Sequence, residues 1–268
     1  MIDPREASLS ELKEALNRLS GSNLIQLLLK IDKDPRVGAV KLAKSKRESI
    51  ARARREDDRL WRMMKYEREA EAQGYRFIAG ADEVGRGALA GPIVASAVIL
   101  KSTEKIIGIN DSKKLSSKQR ESIAVIIKDK AVAWSVKEVS AAQIDTIGLQ
   151  AANIKALNDA IDTLKKKPDF VICDGFKLKG KDMPTLQLEK GDSLSQTVAA
   201  ASILAKVYRD RLMVNWHEDY PNYFFSMNKG YGTLEHIEAI KEKGPCVLHR
   251  TSFYPVNRED VEQTELLL

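Results

Sequence analysis

Asp82 and Glu83 are adjacent carboxylates at the end of an apolar run, and the turn Gly85-Arg86-Gly87 follows at once. Two neighbouring acids at a strand edge are poor for stability and good for holding hard cations. A turn with glycine on both sides of an arginine lets backbone approach a ligand where a side chain would block it. Two more acids stand in comparable places. Asp174 closes the run Phe170-Val-Ile-Cys and is followed by Gly175, and Asp192 lies in Lys190-Gly-Asp-Ser193, ahead of a helix expected to begin near Ser195. Far apart in sequence, the four can converge in space, where they repel unless a cation sits among them. All-oxygen ligands suit Mg²⁺ or Mn²⁺ and not zinc. Two such ions can flank a phosphodiester, one activating water and one stabilising the leaving 3′-oxygen. Singly, each acid also fits a helix cap, a turn or an exposed loop charge. The four together with the glycine turn are what suggest a site.

The elements that must position these acids follow from periodicity and caps. Tyr75 to Asp82, Gly91 to Leu100, Val132 to Val139 and Asp169 to Asp174 read as strands. Ser116-Ser-Lys-Gln119 opens a helix to about Lys130. Leu149 to Lys166 carries an apolar stripe at 3.6-residue spacing, Ser195 to Met213 is rich in Ala and Leu, and Thr233 to Lys243 is stopped by Gly244-Pro245. The pattern predicts an α/β fold, a mixed sheet covered by helices. Residues 1–73 differ. Ser8-Leu-Ser-Glu11 has capping-box spacing, a second short helix spans Asn23 to Lys30, and Val37 to Gln73 reads as one long charged helix, continuous or broken. A helical extension over 1–73 and a catalytic domain over 74–268, ending in a C-terminal helical region, are the expected domains. Lys41, Lys44, Lys46, Arg47, Arg52, Arg54 and Arg55 make the first half of the long helix basic, either as a solvated face or as an arm for nucleic acid.

The 268 residues carry a formal net charge of +6, which suits a polyanionic partner without requiring one. Two cysteines, Cys173 and Cys246, make no disulfide framework and favour a reducing compartment. The start lacks an apolar signal core, and the most apolar run, Leu24 to Ile31, is too short to span a bilayer. A soluble, monomeric cytoplasmic protein without a membrane partner is expected.

In order and spacing, Asp82-Glu-Val-Gly-Arg-Gly87, Leu89-Ala-Gly-Pro92, Asp111-Ser-Lys-Lys-Leu115, Asp174-Gly175, Gly191-Asp-Ser193, Ala199 to Lys206, Arg209-Asp210, Gly230-Tyr-Gly-Thr233 and His249-Arg250 resemble ribonuclease HII across residues 75–255. The Gly-Arg-Gly turn resembles type HII more than type HIII, which usually has lysine there. The resemblance implies an RNase H-like fold and metal-dependent cleavage, with Mg²⁺ or Mn²⁺, of RNA in RNA–DNA hybrids. It also implies cleavage 5′ to a single ribonucleotide embedded in duplex DNA, leaving 3′-hydroxyl and 5′-phosphate ends. By position it makes Asp82, Glu83, Asp174 and Asp192 the catalytic, metal-holding acids and Gly85, Arg86 and Gly87 a 2′-hydroxyl-sensing turn. It makes Tyr231 the ring that packs on the neighbouring sugar. Ala88 departs from the family's usual proline, outside the chemistry.

The 2′-hydroxyl is the group that separates RNA from DNA at a given position, so close backbone contact there is physically sensible. Lys113, Lys206, Lys114 and Arg209 are candidates for phosphate contacts or ordinary surface charges. Tyr231 fits either the sugar or a partly buried core position. His217, His236 and His249 have no metal-ligand spacing, His236 reads as structural, and Cys173 should face the core, opposite Asp174. Two other readings stand beside ribonuclease HII: a type HIII-like nuclease without junction preference, and a hybrid-binding protein without catalysis.

Overall fold

The computed structural model describes residues 3–178 and 180–257. Contacts divide the chain into two units, Met1–Arg59 and Leu60–Leu268. In the first, Ser8 and Glu11 form the expected capping box and start α1 (Leu9–Arg18). α2 (Gly21–Ile31) follows, and then α3 (Val37–Met63), whose residues up to Arg59 belong to this unit. Leu12, Leu16, Leu27, Ile31, Ala39 and Ala43 bury one another in a small core. Asp34, itself buried, pairs with Arg36 at 2.7 Å, and Arg36 also donates to the Ala7 carbonyl, fixing the turn into α3.

The long helix expected to Gln73 is broken at Met64 (φ −96, ψ 13), after which α4 (Lys65–Ala72) resumes. Residues 60–72 belong to the second unit. Leu60 and Met63 pack in one of its cores and Ala70 in another. The expected boundary at residue 73 therefore falls inside that unit, and the last stretch of its expected catalytic domain, 258–268, lies outside the described residues.

The second unit continues with β1 (Ile78–Val84), β2 (Ile93–Ile99), α5 (Ser117–Lys130), β3 (Ala133–Val139), α6 (Ala141–Ile147) and α7 (Leu149–Asp162). Then come β4 (Phe170–Asp174), β5 (Thr185–Leu188), α8 (Gly191–Leu194), α9 (Gln196–Asp219), α10 (Phe225–Asn228) and α11 (Leu234–Lys243). The strand order is β3-β2-β1-β4-β5. β1 pairs antiparallel with β2 and parallel with β4, so the sheet is mixed as expected. Capping boxes at Ser116–Gln119 and Ser140–Gln143 start α5 and α6, and Gly244 ends α11 at φ +75.

Strand alternation sorts the core into two layers. Ala79 and Ala81 share one layer with Ala152, Ala156 and Ala160 of α7. Gly80 faces α9 on the other side, and a Cβ there would collide with the Thr197 and Val198 backbone. α9 thus lies directly on β1, and its fully buried first turns carry Ala199, Ala200 and Ala201 because larger side chains would push the helix away.

Candidate active site

β1 and β4 run parallel with Ala81 opposite Cys173, so Asp82, just past the last β1–β4 pair, and Asp174, the last residue of β4, lie at the same end of the two strands. Alternation puts Asp82 on the Gly80 side, toward α9, and Glu83 on the opposite side, toward Asn153 of α7. Cys173 is buried in the α7 layer, away from Asp174, as the sequence predicted. Asp192 was expected just ahead of a helix. It stands instead within the four-residue α8, where the Gly191 amide donates to Asp174 Oδ1 at 2.7 Å and ties the two acids together.

Crowding and burial leave clear electrostatic marks. Asp82 is raised well above the usual carboxylate range by burial first and then by Glu83, with Ser202 pulling it back and Asp174 adding to the rise. Glu83 is pushed up to about 7 by burial, with Arg86 pulling it back and Asp174 adding to the rise. Asp192 is raised by burial and by Asp111, a fifth acid facing it, against the pull of Lys113. Burial pulls Lys113 down, but Asp192 and Asp111 outweigh it and raise it. Asp111, Lys113, Asp174, Gly175, Asp192 and Ser193 line an open cavity of about 530 Å³. A second cavity, of about 460 Å³ and lined by Trp134, Tyr208 and Arg211, contains none of the four acids.

These residues fit a divalent cation. Glu83 Oε2 and Asp192 Oδ2 are buried and lack a hydrogen-bond partner, which is costly unless something else satisfies them. Every donor is a carboxylate oxygen, the set that Mg²⁺ or Mn²⁺ prefers. Among the described residues no three His, Cys, Asp or Glu side chains already form a ligating cluster. Arg86 and Lys113 stand at 3.9 and 3.6 Å from Glu83 and Asp192 as partial counter-charges.

The two glycines of the turn play different parts. Gly85 adopts φ +94, and a Cβ there would strike the Arg209 side chain. A Cβ on Gly87 would meet nothing within 4 Å, so only Gly87 leaves open space for a ligand. The Arg86 side chain stacks over Phe176 at 4.5 Å and leans toward Glu83. Arg209, expected among the surface phosphate contacts, is fully buried. Its guanidinium donates to the carbonyls of Pro92 (2.9 Å), Lys229 (2.8 Å) and Ala90 (3.0 Å). Tyr231 is half-buried over Arg209, 5.3 Å from ring centre to guanidinium. Lys206 pairs with Asp210 at 2.7 Å and lies 5.7 Å from the Tyr231 ring, while Lys113 is the more exposed lysine.

Sequence reasoning missed the histidine pair behind Tyr231. The Cys246 amide donates to His249 Nδ1 at 2.9 Å, so His249 carries its proton on Nε2 and donates to His236 Nε2 at 3.1 Å. His236 then donates from Nδ1 to the Tyr231 carbonyl at 2.8 Å. It also missed Asp111, although the motif Asp111 to Leu115 was in view, and Asn153, whose amide faces Glu83 without a well-formed hydrogen bond.

Comparison with known proteins matches this chain to one family. The ribonuclease HII family model matches residues 79–256, and a ribonuclease HII N-terminal domain model matches residues 8–71. The chain is 42% identical over 253 residues to a ribonuclease HII of Clostridioides difficile, covering 93% of this chain and 98% of that one. It is 46% identical over 199 residues to one of Ruminiclostridium cellulolyticum, covering 74% and 78%. The solved ribonuclease H2 of Pyrococcus horikoshii superposes with a TM-score of 0.60 at 24% identity, over 70% of this chain and 99% of that chain, which places the sheet and helices in the RNase H-like fold.

Proposed function

We propose, on the premise that this chain belongs to the ribonuclease HII family and is a ribonuclease H acting on RNA–DNA hybrids, that it also cuts duplex DNA on the 5′ side of a single embedded ribonucleotide. The observation that carries this reading is the adjacency of two devices. Carboxylates crowd the ends of β1 and β4, and the next residues along the chain form a turn whose Gly87 faces open space.

Asp82, Glu83, Asp174 and Asp192 would hold the divalent cation, Mg²⁺ or Mn²⁺. Its chemistry when bound is Lewis-acid stabilisation of charge on the phosphodiester and a lowered pKa for bound water. The chain's own residues do the rest. In the cation-free protein Glu83 is pushed up to about 7, so taking up the cation displaces the proton it would otherwise hold near neutrality. Water adds to phosphorus, the bond to the 3′-oxygen breaks, and that oxygen takes a proton, leaving a 3′-hydroxyl and a 5′-phosphate. The turn at Gly85, Arg86 and Gly87 reads the 2′-hydroxyl through backbone groups, the contact that separates RNA from DNA. The Tyr231 ring, backed by Arg209, packs on the adjacent deoxyribose, where a second 2′-hydroxyl would crowd it. Lys113 and Lys206 flank the site as phosphate contacts. The helical extension over 1–73 adds affinity or support, and residues from 74 onward carry the chemistry. The reading describes a monomer working in the cytoplasm. Among the described residues no helix is long and apolar enough to cross a membrane.

The deciding experiment incubates the full chain with duplex DNA containing one ribonucleotide, and separately with a long hybrid, in Mg²⁺ and in Mn²⁺. A single nick 5′ to the ribonucleotide is expected. Cleavage of the hybrid alone would support a type HIII-like activity, and binding without cleavage would support a non-catalytic role.

A further inference from the structure

Arg250 is fully buried 165 residues along the chain from Gly85, and its guanidinium is spent entirely on backbone oxygens. Nη2 donates to the Gly85 carbonyl at 2.6 Å and to Gly91 at 2.9 Å, Nη1 to the Arg86 carbonyl at 2.8 Å, and Nε to Gly91 at 3.0 Å. No carboxylate pairs with it among the described residues. Burial first, and Arg209 second, push it down to about 9, which leaves it a cation at neutral pH.

The two carbonyls matter because of what lies across their peptide bonds. The Gly85 carbonyl shares a peptide unit with the Arg86 amide, and the Arg86 carbonyl with the Gly87 amide. A cation bonded to a peptide oxygen polarises that unit and makes its N–H a stronger donor. Among the described residues neither the Arg86 nor the Gly87 amide has a partner, whereas the next one, Ala88, is used on Gly85 at 3.3 Å. The space before Gly87 is open. Two amides are thus left without a partner beside open space at Gly87, while a buried charge holds the carbonyls of their peptide units.

We propose that Arg250 is a positioning residue for substrate recognition: it orients the Gly85–Gly87 turn and strengthens the Arg86 and Gly87 amides as donors to the ribose 2′-hydroxyl. The inference rests on the function proposed above and adds a residue that touches no substrate. A plain structural brace would need only the bonds to Gly91 and the pairing of Arg250 N with the Leu89 carbonyl at 2.9 Å. The bonds to Gly85 and Arg86 go beyond bracing.

The test compares the parent with Arg250→Lys and Arg250→Met in the full chain. Readouts are the melting temperature, kcat and KM on duplex DNA with one ribonucleotide, and the amide proton shifts of Arg86 and Gly87 without substrate. Losing charge-assisted hydrogen bonds of this kind corresponds to roughly a 10- to 100-fold fall in kcat. Arg250→Lys should fold, keep KM within about threefold, lose kcat in that range and move both amide protons upfield. Arg250→Met should lose more than Arg250→Lys. Unchanged kcat, or unmoved amide protons, in folded Arg250→Lys would overturn the proposal. If Arg250→Met does not fold, Arg250→Lys decides alone. A parent that does not cut the single-ribonucleotide duplex would overturn the functional reading instead, and the amide shifts would still judge the clamp.

Discussion

Glu67 accepts a hydrogen bond from the Ser195 hydroxyl at 2.6 Å, across 128 residues of sequence. The same carboxylate oxygen takes the Thr197 amide at 3.1 Å and the Thr197 hydroxyl at 2.8 Å. A carboxylate at the start of a 24-residue helix satisfies amides with no partner of their own and meets the positive end of the dipole. α9 begins shortly after Ser193 and lies on β1, so Glu67 pins the joint between Asp192 and the sheet. Burial nevertheless raises Glu67, and its Oε2 has no hydrogen-bond partner.

Glu67→Ala should therefore cost about 2–4 kcal/mol, because three buried donors lose their acceptor. Urea unfolding of the full chain measures it. Removal of residues 1–59 should leave the second unit folded, while removal of 1–73 takes Leu60, Met63 and Glu67 with it and should not. Equal stability of the two truncations would contradict this account.

The turn glycines should separate under substitution. Gly87→Ala meets no neighbour and should keep the parent melting temperature, yet lose cleavage at a single ribonucleotide by narrowing the approach to the turn. Gly85→Ala forces a β-carbon into φ +94 and against Arg209, and should destabilise the fold by at least about 1 kcal/mol. Full activity of Gly87→Ala on the single-ribonucleotide duplex would mean that the ligand does not approach there.

Much of this architecture was readable because its signals are local. Capping boxes at Ser8 and Ser116 mark two helix starts, the β1 and β4 runs end in acids, and Gly244 stops α11. Asp82, Glu83, Asp174 and Asp192 stood out in the sequence because each lies near the end or start of an element. What sequence hid depends on tertiary structure. β5 and α8 have four residues each, too few for a period to register. The break at Met64 has neither proline nor glycine to announce it. Glu67 sits among Lys65, Arg68, Glu69 and Glu71 and reads as one more solvated helix charge. Arg209 and Arg250 look like surface cations because nothing local shows that backbone carbonyls surround them.

The crowded acids predict how the cation-free protein responds to pH. Asp82 and Glu83 have folded-state values raised above their unfolded ones, so the protonated forms favour folding. Glu83's contribution is fully present below about 4.5 and is lost as pH rises through about 7, and Asp82's is lost in the same direction as pH rises. Without metal, the parent's melting temperature should fall between pH 5 and pH 8, and Asp82→Asn should fall less. Mn²⁺ should restore the parent at pH 8 and leave Asp82→Asn little changed. Cleavage by Asp82→Asn or Asp174→Asn should drop to background, and a rate within about tenfold of the parent would remove these acids from the chemistry.

The histidine pair predicts the opposite slope at lower pH. Burial, with the neighbouring His236, holds His249 down to about 4, and burial lowers His236 as well. A depressed folded value means the neutral form favours folding. That stability is present above about 6.5 and is lost as pH falls toward 4, up to roughly 3 kcal/mol for His249 alone. Acid titration of the melting temperature with and without His249→Gln checks it: the parent should lose stability over that window more steeply than the variant.

The last prediction concerns the first unit. Residues 1–59 hold fourteen Lys/Arg against ten Asp/Glu, a net +4 of the chain's +6. Lys41, Lys44, Arg52 and Arg55 are exposed, and spacings of three, eight and three residues keep them on one face of α3. Glu48 lies within that face and dilutes it. Four cations along a rigid helix match phosphates along a duplex, and such ion pairs add affinity without chemistry. Each phosphate neutralised contributes about 0.9 to the slope of log binding constant against log salt on duplex DNA. Changing all four to Gln should raise KM, flatten that slope by roughly one unit for each phosphate no longer neutralised and leave kcat and the melting temperature close to the parent's. None of the four is among the buried core residues of this unit, so the variant should stay folded. A salt slope equal to the parent's would show that the basic face is only solvated. A lowered melting temperature with the slope intact would make the helix a brace.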